Sequence, residues 1–295
     1  MPDAKEYAYL IRKIRTIEII TRARVSGQQA GVHISLFKGQ GVEFSDIREY
    51  LPGDDIRAID WKITARYGVP YIKEFVEERD QTIYIILDIS GSGAFGHTQS
   101  KFSTMVSILA TLVFSAVHHH DRIGLVLVTD EVERFIPAKS GRSHAIHLLE
   151  TAITCDPDSL RSDLTPALTT ILTRIRRMAT VLLISDFYTP DCSRELAVLK
   201  RHHDLLAIRV TDPREHELPD IGLIELEDSE TGEQILVDTS DSGLRERYAT
   251  AAQEHDAGVI TMMRRLRIPF VHLKTGEDLY NPLHLLFRLR PGSEL

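Results

Sequence analysis

The sequence predicts a doubly wound α/β fold, a mostly parallel sheet flanked by helices, preceded by a smaller N-terminal module. Three observations carry this reading. Short, nearly continuous apolar runs recur from residue 81 onward, segments of helical periodicity separate them, and residues 31–80 are instead broken up by glycine and proline. A chain of 295 residues has room for one large domain or a medium domain plus a module. The division is expected at residues 1–80 and 81–295.

Taken in order, residues 3–26 place Tyr7, Leu10, Ile14, Ile17 and Ile20 close to helical spacing, with six basic and three acidic residues on the other faces. A basic amphipathic helix of this kind covers its own protein more often than a membrane surface. Gly27 is a natural stop. In residues 31–80, strand-like stretches flank a turn and a short helix. Leu51-Pro52-Gly53-Asp54-Asp55 reads as a turn whose carboxylates cap the helical stretch 56–66. Tyr50 and Trp61 read as packing residues, Trp61 towards the main domain.

From residue 81, buried strands are expected at Ile83–Leu87, Ile123–Val128, Val181–Ile184, Leu205–Val210 and Phe270–Leu273. Their unbroken Leu, Ile and Val content suits strands covered on both faces. Helices are expected at Lys101–Val117, His144–Ala152, Leu164–Met178 and Ser193–Arg201, with a long one from Asp241 to Arg265. Ile235–Asp238 reads as an additional edge strand, and His202-His203-Asp204 as a loop.

Composition removes several function classes. The net charge is −8, from 35 Lys and Arg against 43 Asp and Glu. Residues 1–80 hold 13 of each sign, so the whole deficit lies in the body, which would repel phosphate backbones. Nucleic acid is therefore not an expected partner. Two cysteines, Cys155 and Cys192, make neither a disulfide framework nor a zinc site. No apolar run approaches the roughly 18 residues of a membrane span, and no transmembrane segment is expected. Met1-Pro2-Asp3-Ala4-Lys5-Glu6 lacks the character of a signal peptide, so the expected location is the cytoplasm.

In a parallel sheet, ligands gather at the carboxyl ends of the strands. Asp88 closes the first strand and Asp186 follows the third. Ser90 and Ser92 complete Asp88-Ile89-Ser90-Gly91-Ser92 on a glycine-rich loop. A carboxylate and two hydroxyls at alternate positions of one loop offer hard oxygen ligands to Mg²⁺, an ion that keeps some water. The shell left incomplete would accept a carboxylate from another molecule.

Asp88-Ile89-Ser90-Gly91-Ser92 resembles the metal-ion-dependent adhesion site of von Willebrand factor A-type domains. The resemblance implies a hydroxyl on a second loop and an Asp on a third. Asp186, in Leu183-Ile184-Ser185-Asp186, matches the third, and Ser162, in Arg161-Ser162-Asp163-Leu164, matches the second, with Thr165 as the fallback. Phe187 stands where many such domains carry Gly. Upstream, Gly41-Val42-Glu43-Phe44, the run from Ile47 to Trp61 and Thr64-Ala65-Arg66 resemble the signature of the bacterial "domain of unknown function 58" family, whose members carry a von Willebrand A-like domain after it. That resemblance further implies a partnership with MoxR-type AAA+ ATPases in chaperone-like remodelling.

Other chemistries find fewer of their parts. Gly91-Ser92-Gly93-Ala94-Phe95-Gly96 is a literal GxGxxG after a strand, so a dinucleotide-binding enzyme is the alternative. Asp88 would then face a pyrophosphate, and the acidic residue expected about 20 positions on is replaced by His118-His119-His120. These three histidines point about 100° apart on a helix and cannot share one ion. They read as a solvated helix end. An aspartyl-phosphate loop would need a carboxylate at Ser90, and no nucleophile elbow is present. The expected function is divalent-cation-dependent protein binding without catalysis. Asp88, Ser90, Ser92, Ser162 and Asp186 would hold Mg²⁺ (or Mn²⁺ or Ca²⁺), and a partner would supply an Asp or Glu.

Overall fold

The computed structural model describes residues 41–51, 59–78, 81–94 and 100–288, together with Thr16 and Asp54. Apart from Thr16, the helix expected over residues 3–26 and its stop at Gly27 lie outside the described residues. The chain divides into a small unit, Lys38–Gln81, and a large one containing Thr82–Leu295.

The small unit is a hairpin with a helix in its connection. β1 (Gly41–Glu49) pairs antiparallel with β2 (Tyr71–Glu78), with an irregularity between Phe44 and Asp46. Between them lies α1 (Trp61–Tyr67). Its cap is Asp60, whose Oδ1 accepts from the N–H groups of Lys62 (2.9 Å) and Ile63 (3.3 Å). Asp54, expected to cap this helix, instead accepts from Leu51 N–H through Oδ2 at 2.8 Å. The helix begins five residues later than its carboxylate-rich turn suggested, and the nearer Asp takes the cap. Gly68 ends it at φ 77°, the left-handed conformation that favours glycine. Trp61 opens α1 and is 67% exposed.

In the large unit, six strands form the main sheet: β3 (Thr82–Asp88), β4 (Arg122–Val128), β5 (Val132–Lys139), β6 (Thr180–Ser185), β7 (Asp204–Thr211) and β10 (Phe270–Lys274). Their spatial order is β10-β7-β6-β3-β4-β5, all parallel except the edge strand β5. Each inner strand alternates its side chains between two apolar layers. Ile83, Ile85 and Leu87 of β3 face one core with Leu125, Leu182 and Leu206, under α2 (Lys101–His118), α3 (Arg142–Thr154) and α7 (Tyr280–Arg288). Tyr84 and Ile86 face the other with Val126, Leu183 and Ala207, under α4 (Thr165–Arg174), α5 (Ser193–His202) and α6 (Ser242–Leu266). Burial on both faces is why these strands read as unbroken apolar runs. Among the described residues, α2 is the one helix long and apolar enough to cross a membrane, but 83% of it is buried as the central helix of this fold.

Several expectations need correction. Ile235–Asp238 is not on an edge of the main sheet. It belongs to β9 (Gln234–Asp238), which pairs only with β8 (Leu223–Glu227) in a separate hairpin. α4 stops at Arg174, four residues early, where Arg176 and Arg177 interrupt the apolar period. Of His202-His203-Asp204 only His203 lies outside an element, since α5 and β7 absorb its neighbours. β5, β8 and α7 have no counterpart in the sequence reading. β5 is an edge strand with only two of its eight side chains buried, so its apolar run is too broken to stand out.

Gly124 on β4 lies directly opposite Tyr84 on β3, and the tyrosine ring covers it. A Cβ there would stand 2.5 Å from the ring and 2.8 Å from the Ile136 carbonyl oxygen. Gly258 in α6 has open space around it. Gly124→Ala is therefore expected to lose about 1–3 kcal/mol, whereas Gly258→Ala gains up to about 1 kcal/mol from helix propensity, both read from urea unfolding.

His272 on β10 shares a hydrogen bond of 2.7 Å with Thr211 Oγ1. Burial, and then the Arg209 charge, lower its pKa from 6.5 to about 4. Between those values the unfolded chain binds the proton and the folded chain does not, so stability falls as pH drops through this window. The unfolding midpoint is expected to decline from pH 6.5 to 4, and His272→Gln to make that decline shallower.

Candidate metal centre

β3 is the strand at which the winding reverses. Its onward connection runs through α2 on one face to β4, while β6, on its other side, is followed by α5 on the opposite face. The crevice at such a switch point is where doubly wound sheets bind ligands. Asp88 is the last residue of β3 and Asp186 the first after β6, and these two strands are hydrogen-bonded neighbours. Two carboxylates are thus delivered to one sheet edge.

Asp88 is buried and fully engaged. Oδ1 accepts from Ser90 N–H at 3.0 Å, and Oδ2 accepts from the hydroxyls of Ser185 (2.8 Å) and Ser162 (3.2 Å). Ser90 Oγ lies 3.2 Å from Ser92 Oγ. The structure therefore brings Asp88, Ser90, Ser92 and Ser162 together. Of the two hydroxyls considered on the second loop, Ser162 reaches Asp88, while Thr165 opens α4 with its N–H on Asp163 Oδ1 at 2.8 Å.

Asp186 is also buried and lies on a strained turn. Its Oδ1 accepts from Tyr188 N–H at 3.1 Å and its Oδ2 from Lys101 Nζ at 2.6 Å. Phe187, between them, has φ 62°. This is the left-handed backbone that glycine adopts freely, held here by a buried aromatic ring packed 6.4 Å from that of Phe270. Lys101, the first residue of α2, also ion-pairs with Glu215. Arg209, wholly buried on β7, donates from Nε to the Asp186 carbonyl at 3.0 Å and pairs with Asp256 at 2.7 Å.

Charge in this crevice is unbalanced. Burial raises the Asp88 carboxyl above the ordinary carboxylate range, and the neighbouring Asp186 charge raises it further, against hydrogen bonds that lower it. Burial pulls the Lys101 ammonium down, but Asp186 and Glu215 outweigh it and hold it above the ordinary lysine value. One ammonium thus serves two carboxylates, and among the described residues Asp88 has no cation of its own.

The donor set fits a hard divalent ion. Its members are oxygens only, and two ligands on adjacent octahedral positions about 2.1 Å from Mg²⁺ stand roughly 3.0 Å apart, close to the Ser90–Ser92 separation. Asp186, with both oxygens already accepting protein donors, would contribute charge or a water-bridged contact. Among the described residues no three His, Cys, Asp or Glu side chains form a metal group. A set of two carboxylates and several hydroxyls does not depend on one.

The same loop is poorly arranged for a pyrophosphate. The Gly91 N–H is spent on the Leu160 carbonyl (2.8 Å) and that of Gly93 on the Ser90 carbonyl (3.0 Å), so neither is free to cradle phosphate. A Cβ on Gly91 would stand 2.2 Å from the Ser229 carbonyl oxygen, so this glycine serves close packing within the chain. Gly96 lies outside the described residues. His118 ends α2, His119 is half-buried behind it and His120 turns away at φ 60°.

Sequence reasoning missed Ser185, Lys101, Arg209 and Glu215. Ser185 carried a signal, a hydroxyl closing an otherwise apolar buried strand. The charged residues carried none, because each reaches the site from an element whose position only the fold supplies.

This is a doubly wound α/β protein with an acidic, hydroxyl-lined site at its switch point. The chain belongs to the DUF58 family, described as proteins of unknown function, which it matches over residues 46–258. The uncharacterized protein Rv1480 of Mycobacterium tuberculosis is 33% identical over 273 residues, 91% of this chain and 86% of that protein. The uncharacterized protein YeaD of Bacillus subtilis is 30% identical over 105 residues, 36% of this chain and 24% of that one. Solved structures similar to it include the conserved hypothetical protein BatB from Bacteroides thetaiotaomicron, at 13% identity and TM-score 0.46 over 71% of this chain and 96% of that one. Another is proximal thread matrix protein 1 from mussel byssus with a zinc-occupied MIDAS motif, at 15% identity and TM-score 0.37 over 45% of this chain and 38% of that one.

Removing the Lys101 ammonium strands two carboxylates. Lys101→Met is expected to cost about 3–5 kcal/mol at pH 7 by urea unfolding. Adding Asp186→Asn should restore part of that loss, since it removes one of the charges left alone.

Proposed function

We propose that this chain is a divalent-cation-dependent protein-binding module and not an enzyme, with residues 1–80 forming an N-terminal module and residues 81–295 a von Willebrand A-like body. The observation that carries this reading is the Ser90–Ser92 hydroxyl pair, 3.2 Å apart beside the buried Asp88 carboxylate. Ser90, Ser92 and Ser162 would hold Mg²⁺ (or Mn²⁺ or Ca²⁺) through their hydroxyls, with Asp88 and Asp186 supplying charge directly or through water. A bound ion would act there as a bridge to an Asp or Glu of a partner protein. This chain's own residues do the rest: Lys101 and Arg209 hold the Asp186 loop, and the buried strand ends fix the Asp88 loop. By family resemblance the partner is a MoxR-type AAA+ ATPase or a client protein that it remodels, in the cytoplasm.

Selective binding to the folded state raises stability by mass action, about 2.7 kcal/mol at a ligand concentration of 100 Kd. For a body of this size that is a rise of several degrees in Tm. Titrating Mg²⁺ or Mn²⁺ should raise the Tm of wild type and leave Asp88→Ala unmoved, while NAD(H) moves neither. No response of wild type to millimolar metal, or a response to NAD(H), overturns this reading. An AAA+ ATPase that co-purifies with the chain and is released by chelator would add the partner.

A further inference from the structure

The hairpin of β8 and β9 turns an apolar and strongly acidic face to solvent. Leu223 stands opposite Asp238, Glu225 opposite Leu236 and Glu227 opposite Gln234, so these six side chains share one face. All six are exposed, Leu223 by 64% and Leu236 by 69%, and the two leucines are diagonal neighbours. The hairpin shares no hydrogen-bonded ladder with the main sheet among the described residues. Residues 217–241, which contain it, hold nine Asp and Glu and no Lys or Arg, against a net charge of −8 for the whole chain. The rest of the chain therefore carries a slight positive excess. At the turn, the Ser229 carbonyl lies against Gly91, which sets the hairpin beside the carboxyl edge of the main sheet.

Positive charge gathers towards the opposite edge. α4, α5 and α6 cover one face of the sheet and each leads into a parallel strand, so their last turns approach the amino ends of β6, β7 and β10. Arg176 and Arg177 follow α4, Arg201 lies in the last turn of α5, and Arg264, Arg265 and Arg267 surround the end of α6. All six are exposed, and beside them Met178 is 77% exposed. Asp204, at the start of β7, is already paired with Lys200 at 3.7 Å. A cation in a last helical turn suits the helix dipole, but that benefit falls off within the turn. Arg176, Arg177 and Arg267 lie past it and answer to no such need.

Each end thus combines exposed apolar side chains with charge of one sign, and the two signs are opposite. The ends are separated by about 20–25 Å, the length of β7, so one chain cannot join its own two faces. We infer that the outer face of the β8–β9 hairpin is the docking site for the arginine-rich end of a second copy of this chain. Neither face complements itself, so the contact is head-to-tail and does not close into a symmetric dimer. It requires no ion at the Asp88 site and goes beyond the cation reading.

Sedimentation velocity of the full-length chain in chelator, where divalent ions cannot bridge, tests this. Wild type is expected to sediment faster as its concentration rises at about 20 mM salt, and to return to monomer at about 1 M, where the screening length is about 3 Å. Glu225→Lys with Glu227→Lys, and separately Arg176→Glu with Arg177→Glu, should each weaken association about tenfold or more, with circular dichroism confirming that each variant is folded. Mixing those two variants should restore association, because each keeps the face that the other has lost. Glu150→Lys with Glu254→Lys, the same charge change at exposed sites on α3 and α6, should leave association intact. A wild type that stays monomeric at low salt overturns the proposal. So does an equal loss in the α3 and α6 variant, or a mixture that remains monomeric.

Discussion

The large unit is organised around the burial of two carboxylates, Asp88 and Asp186, at the ends of adjacent parallel strands. Buried like charges are tolerated only when donors and counter-charges surround them. That requirement accounts for much of what lies nearby: the Ser162 and Ser185 hydroxyls on Asp88, the Lys101 ammonium shared with Glu215, and the fully buried Arg209 under the Asp186 loop. Each of these groups comes from a different strand, helix or loop, so the charge pair ties the elements together as well as positioning a site.

The sheet supplies the precision. Because β3 and β6 are covered on both faces, their register cannot slip without moving apolar side chains out of both cores. The two strand ends, and the loops that leave them, inherit that rigidity. The turn at Phe187 shows the same logic from the side of strain. A left-handed backbone at a phenylalanine is unfavourable, yet the ring is anchored in the core against Phe270, and the turn so fixed aims Asp186 at Lys101.

The sequence made the parallel strands legible because double-sided burial leaves an apolar run with no polar interruption, as in Ile83–Leu87 and Val181–Ile184. The loop hydroxyls and the two aspartates were legible because their type and spacing encode a chemistry. What escaped was what depends on the fold itself. Lys101 reads as an ordinary first residue of a helix, and its role follows from where that helix starts. Asp60 displaced Asp54 as a cap because only the local backbone decides which carboxylate meets the free N–H groups. Ser229 lies in an exposed, charged turn that reads as any surface hairpin, and the place of its carbonyl against Gly91 is set by the connection from β7 to α6.

The strand order also bears on how the chain comes to be folded. β3, α2, β4 and β5 are contiguous, so they can assemble as soon as they have left the ribosome, but this leaves one edge of β3 open. Its partner β6 comes much later: Ser185, which bonds Asp88, is 97 positions further along. Until then the nascent protein holds a long apolar strand edge and a half-built acidic pocket, the kind of intermediate that invites mispairing with other chains. Arrival of β6 covers that edge and delivers Ser185 and Asp186 in the same step, so completion of the site is tied to the growth of the sheet, whose open edge then passes to β6 until β7 pairs with it.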